Sequence, residues 1–139
     1  MNDPALNKNL TTSLVKKATQ ITEKIGAALK QDNVTIQQFN VLRILRGRKG
    51  KVASLQDVSK DMIHSNSNTT RVIDKLITKK FVNRKQCPTD RRQIELTITK
   101  KGLELLKTLD SKVEETEKEI VQNLEKSEIE QLIQLMDKI

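Results

Sequence analysis

Seven consecutive residues, Ser65-Asn66-Ser67-Asn68-Thr69-Thr70-Arg71, are short hydrogen-bonding types except for the last, and none is acidic. Asparagine pairs bidentately with adenine, arginine matches the acceptor edge of guanine, hydroxyls reach base edges or phosphates, and the threonine methyl packs on thymine. The run directly precedes Val72, Ile73, Leu76 and Ile77, which recur with helical spacing. It therefore sits at a helix N-terminus, where free amides and the positive dipole end suit a phosphate. A capping turn needs only two or three such residues, and a turn that merely caps a helix is the alternative reading. A second group, Asp90-Arg91-Arg92, lies between two alternating segments and is preceded by Cys87-Pro88-Thr89. Arginine on a hairpin tip fits a narrow, A·T-rich minor groove, where the negative potential is strongest. Asp90 is expected to hold a neighbouring guanidinium in a bidentate pair, and Arg84 to meet the nucleic-acid backbone or Asp90. A solvated charged turn is the alternative for this tip.

Catalysis has few available parts. The chain has one histidine, one cysteine and four glycines, with no nucleophile–base pair, paired carboxylates or phosphate-cradling glycine loop, so an enzyme is not expected. No Cys/His cluster could hold zinc, and no cofactor is expected. His64, in the polar turn, reads as structural, solvated or a phosphate contact. Cys87 lies close in sequence to Arg84, Lys85 and Arg91, and positive neighbours lower a thiol pKa. Its oxidation is expected to move the hairpin, unless it is an ordinary small strand residue.

The elements that must position these groups follow from composition and period. The chain has 139 residues, 35% hydrophobic and 32% charged, with Phe39 and Phe81 its two aromatics. The core must be Leu, Ile and Val, which suits helices packed on helices. The net charge is +8, distributed as +2 over residues 1–42, +10 over 43–92 and −4 over 93–139, and all seven arginines fall between Arg43 and Arg92. A basic, arginine-rich middle between helical ends is the footprint of a polyanion-binding module. No apolar stretch is long enough to cross a bilayer and no signal peptide is visible, so a cytoplasmic location and no membrane partner are expected.

Leu6, Leu10, Leu14, Ala18, Ile21, Ile25 and Leu29 place a helix over 5–30 with a nearly heptad seam. Thr35 and Gln38 form a capping box for a helix ending near Gly47. Ser54 opens a short helix to about Met62, and a fourth runs to about Lys79. Strands are expected at 81–86 and 93–98 around a turn containing Pro88 and Asp90. Thr99 caps a long helix reaching Leu124, and a capping box at Ser127 starts the last helix. The order is helix, short strand, short helix, turn, helix, basic hairpin: a helix-turn-helix with a wing, mainly α, whose second helix would enter the major groove.

Three segments then carry a specific likeness: Phe39-Asn40-Val41-Leu42-Arg43-Ile44-Leu45, Ser67-Asn68-Thr69-Thr70-Arg71-Val72-Ile73-Asp74-Lys75-Leu76, and Pro88-Thr89-Asp90-Arg91-Arg92 with Ile98-Thr99-Lys100-Lys101-Gly102. Together they resemble the MarR family of bacterial transcription regulators over essentially the whole chain. The family's wing signature is Asp-x-Arg, five residues, Leu-Thr, and here Ile98 replaces the leucine. The resemblance implies one domain over 1–139. Residues 1–30 and 100–139 would interlock as dimerisation helices, and 35–99 would form the winged lobe. It implies a homodimer that binds double-stranded DNA at a pseudo-palindrome, and regulation, often repression, relieved by a small-molecule effector or by oxidation. It places Ser65, Asn66, Ser67, Asn68, Thr69, Thr70, Arg71, Arg84, Asp90, Arg91 and Arg92 at the DNA. Spacing alone leaves an intramolecular bundle open for the outer helices. A winged-helix protein-interaction module and a non-specific architectural DNA binder are the other functional classes. Two departures stand out. Lys80 occupies a position where many members carry glycine, and the N-terminal helix lacks the cysteine of peroxide-sensing members.

Overall fold

Capping chemistry sets most of the element boundaries. The computed structural model describes residues 2–63 and 68–139. Helix α1 (Pro4–Lys30) starts where the Asp3 carboxylate accepts the Leu6 amide at 3.1 Å, with proline in its first turn. Helix α2 (Ile36–Gly47) carries the expected box: the Gln38 amide donates to Thr35 Oγ1 at 3.1 Å and the Thr35 amide to Gln38 Oε1 at 3.2 Å. Helix α3 (Leu55–Asp61) repeats the device with Ser54 and Asp57, both bonds 3.0 Å. Those bonds from Ser54, with Arg48 and Lys60 nearby, hold the Asp57 carboxyl below the usual carboxylate range. Helix α4 (Thr69–Thr78) is capped by Asn68, and α5 (Lys100–Ile120) by Thr99.

Two boundaries differ from the sequence reading. Helix α5 stops at Ile120, because Val121 leaves helical geometry at a β-branched pair with Asn123 just beyond, residue types that favour helix less than the run before them. Helix α6 (Lys126–Met136) is opened by Glu125, whose amide donates to Glu128 Oε1 at 2.9 Å. Ser127 is therefore inside the helix. The glutamate three residues beyond the cap decides the start, and for Glu128 that cap is residue 125.

Strands β1 (Val82–Gln86) and β2 (Ile94–Ile98) pair antiparallel, Val82 opposite Ile98 and Gln86 opposite Ile94. Ala53 extends the ribbon through reciprocal bonds with Leu96 at 3.0 and 2.8 Å. The core gathers around α2: Phe39, Val41, Leu42 and Leu45 pack with Leu29, Val58, Leu76, Leu96, Leu106 and Leu109, all at most 2% exposed. Burial of this set accounts for the helix-rich, aromatic-poor composition. Two ion pairs fasten α5 to the lobe. Asp110 meets both terminal nitrogens of Arg46 at the end of α2, and Lys112 reaches Asp32 in the α1–α2 turn at 2.5 Å.

The end of α4 answers the question raised by Lys80. The Lys80 amide donates to the Ile77 carbonyl at 2.9 Å and the Phe81 amide to the Leu76 carbonyl at 3.0 Å, the two bonds of a Schellman motif. Lys80 takes φ +67°, the left-handed conformation that glycine adopts without the Cβ clash. The geometry is kept although the glycine is absent. Lys80→Gly is expected to stabilise the protein by about 0.5–1 kcal/mol, measured as a higher urea midpoint. An unchanged or lower midpoint would mean the lysine side chain compensates for its backbone.

The wing is seated on the start of α5. The Thr99 amide donates to the Phe81 carbonyl at 3.0 Å, the Thr99 hydroxyl donates to the Lys80 carbonyl at 2.8 Å, and the Gly102 amide donates to that hydroxyl oxygen at 3.0 Å. Gly102 is buried. A Cβ there would overlap the Phe81 carbonyl oxygen and lie 2.8 Å from Ile98 Cγ1.

Candidate nucleic-acid interface

Helix α4 divides cleanly into two faces. Thr69, Ile73 and Leu76 are buried with Val72 and Ile77 beside them, and Thr70, Arg71, Asp74, Lys75 and Thr78 are exposed on the other side. The predicted contacts sort accordingly. Thr70 and Arg71 stand on the exposed face. Asn68 is exposed, but its Oδ1 accepts the Arg71 amide at 3.3 Å, so its oxygen is a cap and its amide nitrogen is the group left for a ligand. Thr69, 8% exposed, turns inward, because it falls on the same stripe as Ile73 and Leu76. Ser65, Asn66, Ser67 and His64 lie outside the described residues. The sequence reading stopped at Arg71. The helical period carries the same face on through Asp74, Lys75 and Thr78, a signal that was present in the spacing.

The hairpin tip has a different internal order from the one expected. Asp90 does not pair with a guanidinium. Its carboxylate accepts the Arg92 amide at 3.0 Å, and its carbonyl accepts the Gln93 amide at 3.0 Å. Asp favours this two-residue backbone turn, which costs less side-chain order than fixing a long arginine. The Asp90 role is thus corrected from side-chain clamp to turn former, and Arg84, exposed on β1, makes no ion pair with it. Arg91 and Arg92 are exposed at the tip. Cys87 is partly buried at the base of the turn, its Sγ 3.2 Å from Thr89 Oγ1. That hydroxyl, with the backbone amides of Thr89 and Asp90, holds the thiol below its ordinary pKa range.

The seven arginines separate by partner. Arg43 lies over the Phe39 ring at 5.4 Å, Arg46 pairs with Asp110, and Arg48 faces Asp57 and Asp61 at 3.9 and 3.7 Å. Arg71, Arg84, Arg91 and Arg92 have no acidic partner among the described residues. Two arginines are neutralised by acids of the lobe, Arg43 keeps its charge over a ring, and the four on α4 and the wing keep theirs unpaired among the described residues.

Comparison with known proteins matches this geometry. The family model described as "MarR family" fits residues 34–94, from the start of α2 into β2. A MarR-like protein from Bacillus cereus is 26% identical over 96% of this chain and 95% of its own, with a TM-score of 0.87. Residues 34–94 therefore carry a MarR-family domain, and the chain is similar along nearly its whole length to MarR-like proteins. The Bacillus relative is a MarR-like transcription regulator. Two further MarR-fold structures superpose along nearly their whole length. BpsR from Bordetella bronchiseptica, whose DNA binding is regulated by 6-hydroxynicotinic acid, gives a TM-score of 0.83 at 23% identity, covering 94% of this chain and 97% of that one. A mutant of MarR from E. coli complexed with operator DNA gives 0.84 at 22% identity, covering 99% and 98%. Their likeness to this chain is one of fold. No helix among the described residues is long and apolar enough to cross a membrane.

Proposed function

We propose that this protein is a MarR-family transcription regulator and not an enzyme: a sequence-specific, dimeric DNA-binding repressor. Helix α4 enters the major groove and the wing arginines enter the adjacent minor groove of each half of a pseudo-palindromic operator. The observation that carries the reading is the partitioning of arginines: Arg71 of α4 and Arg84, Arg91 and Arg92 of the wing have no acidic partner among the described residues, on one basic lobe. That a protein of the same fold, the E. coli MarR mutant, is seen complexed with operator DNA supports the reading.

The dimer rests on apolar surface that one chain does not cover. Leu6 and Leu10 of α1 are 64% and 53% exposed, and α6 buries no residue although Leu132, Ile133, Leu135 and Met136 are 44–50% exposed. An intramolecular bundle would have covered α6. A second chain laying its own α1 and α6 against these faces would remove the exposed surface, and each buried leucine contributes about 1.5–3 kcal/mol. Sedimentation at micromolar concentration is expected to give twice the chain mass for the wild type, and the single-chain mass for Leu132→Lys with Met136→Lys. A monomeric wild type would contradict the dimer.

A small-molecule effector completes the reading. A cleft of about 640 Å³ opens between α1, the start of α2 and α4, lined by Lys30, Lys75 and Lys79 together with Val34, Thr35 and Ile36. Three ammonium groups beside apolar side chains suit an anionic organic molecule, and 6-hydroxynicotinic acid, which regulates the Bordetella relative, is of that class. Occupying a cleft that touches both the outer helix and α4 would change the placement of the recognition helix.

A further inference from the structure

The four acids of the basic segment 43–92 are Asp57, Asp61, Asp74 and Asp90. Three have work inside the chain. Asp57 caps α3 and faces Arg48, Asp61 faces Arg48, and Asp90 accepts the Arg92 amide. Asp74 is exposed and its carboxylate has no hydrogen bond or ion pair among the described residues; only its backbone carbonyl is engaged, by the Thr78 hydroxyl at 3.0 Å. Neither Arg71 nor Lys75 pairs with it, although both lie on the same face.

Its place on the helix is equally specific. Thr70, Asp74 and Thr78 follow at steps of four on the exposed face, with Arg71 and Lys75 in the adjoining row. Thr70 and Asp74 are separated by about 6 Å along the axis, less than two base-pair steps of about 3.4 Å. A helix laid in the major groove with Thr70 and Arg71 at base edges therefore presents Asp74 to the same groove floor. A carboxylate is acceptor-only and is repelled by phosphates. The groups in that groove that can meet it are exocyclic amines, and the contact that follows from its geometry is acceptance from cytosine N4.

We propose that Asp74 is a specificity-determining residue of the recognition helix, selecting cytosine at one position of each operator half-site. This deepens the DNA-binding reading above and rests on it. The carboxylate accepts the cytosine amino group when the helix is correctly seated. On a wrong sequence it faces an acceptor edge or a phosphate and penalises the complex, so it sharpens specificity from both sides.

The test is selection from a random duplex pool by the full-length wild type and by Asp74→Asn, followed by titration of the selected duplex and its single-base variants. The wild type is expected to enrich cytosine at one position per half-site and to prefer it about 5-fold or more over other bases there. Asp74→Asn is expected to lose that preference or transfer it to adenine, which asparagine pairs with bidentately, and to bind unselected DNA more tightly. Asp74→Ala, checked for an unchanged thermal midpoint, must lose the same preference. If wild type and both variants select one identical sequence, the assignment of Asp74 is overturned and the regulator reading stands. An Asp74-dependent preference for a base other than cytosine overturns the cytosine assignment. A wild type that selects no sequence overturns the regulator reading and this proposal with it.

Discussion

Replacing Gly102 by alanine is expected to lower stability by about 1–3 kcal/mol, the usual cost of forcing extra volume into a packed site, and to unseat the wing. The obstacle is backbone: the added methyl meets the Phe81 carbonyl, which is also the acceptor of the Thr99 amide. A flexible side chain could swing aside, but this carbonyl cannot without breaking the bond that ties β1 to the start of α5. Relief would push α5 away from the ribbon, and Ile98, on the other side of the new methyl, ends β2. The effect should appear twice, as a lower urea midpoint and as loss of DNA affinity larger than the unfolded fraction explains. An unchanged midpoint would show that the first turn of α5 adjusts freely, and the wing would then owe its position to Ala53 and Leu96 alone.

The second large effect concerns the wing tip. Arg91→Ala and Arg92→Ala together are expected to weaken binding by about 1–3 kcal/mol for each arginine at duplexes with A·T-rich flanks. The slope of log affinity against log salt should flatten by about two if both meet the nucleic acid's charge. The physical basis is their exposure beside a turn that Asp90 holds through backbone amides, with no acidic partner for either guanidinium among the described residues. Arg71→Ala belongs to the other element and should act differently, shifting base preference at one position by about 1–3 kcal/mol. Titration against duplexes that differ only in flank composition or only in the half-site core separates the two. Equal losses on every duplex from every variant would dissolve this division between groove reading and wing contact.

Much of the framework was legible because its determinants are local. Thr35 with Gln38 and Ser54 with Asp57 announce their helix starts within four residues, and the alternation of Ile94, Leu96 and Ile98 announces a strand buried at its centre. Other features were illegible because competing local bonds of similar strength decide them. Asp90 could serve a guanidinium or an amide two residues on, and the shorter loop closure wins. Ser127 is the better cap by type, yet Glu128 reaches back to residue 125 and sets the start there. Thr69 reads as a polar contact until the helical phase is fixed by Ile73 and Leu76. The ion pairs Arg46–Asp110 and Asp32–Lys112 join residues far apart in sequence, which no local pattern encodes. The wing signature does reach a different long-range contact, since it ends on Thr99, whose bonds to the Lys80 and Phe81 carbonyls seat the ribbon on α5.

The central claim is that the lobe reads sequence as a two-fold dimer. It is tested most directly by binding the wild type to a pool of random duplexes at two salt concentrations and sequencing what is retained. The account predicts an enriched palindrome with half-sites about one helical turn apart and affinity that falls steeply with salt. Salt-sensitive binding with no enriched sequence, or no binding to duplex DNA at all, would contradict it.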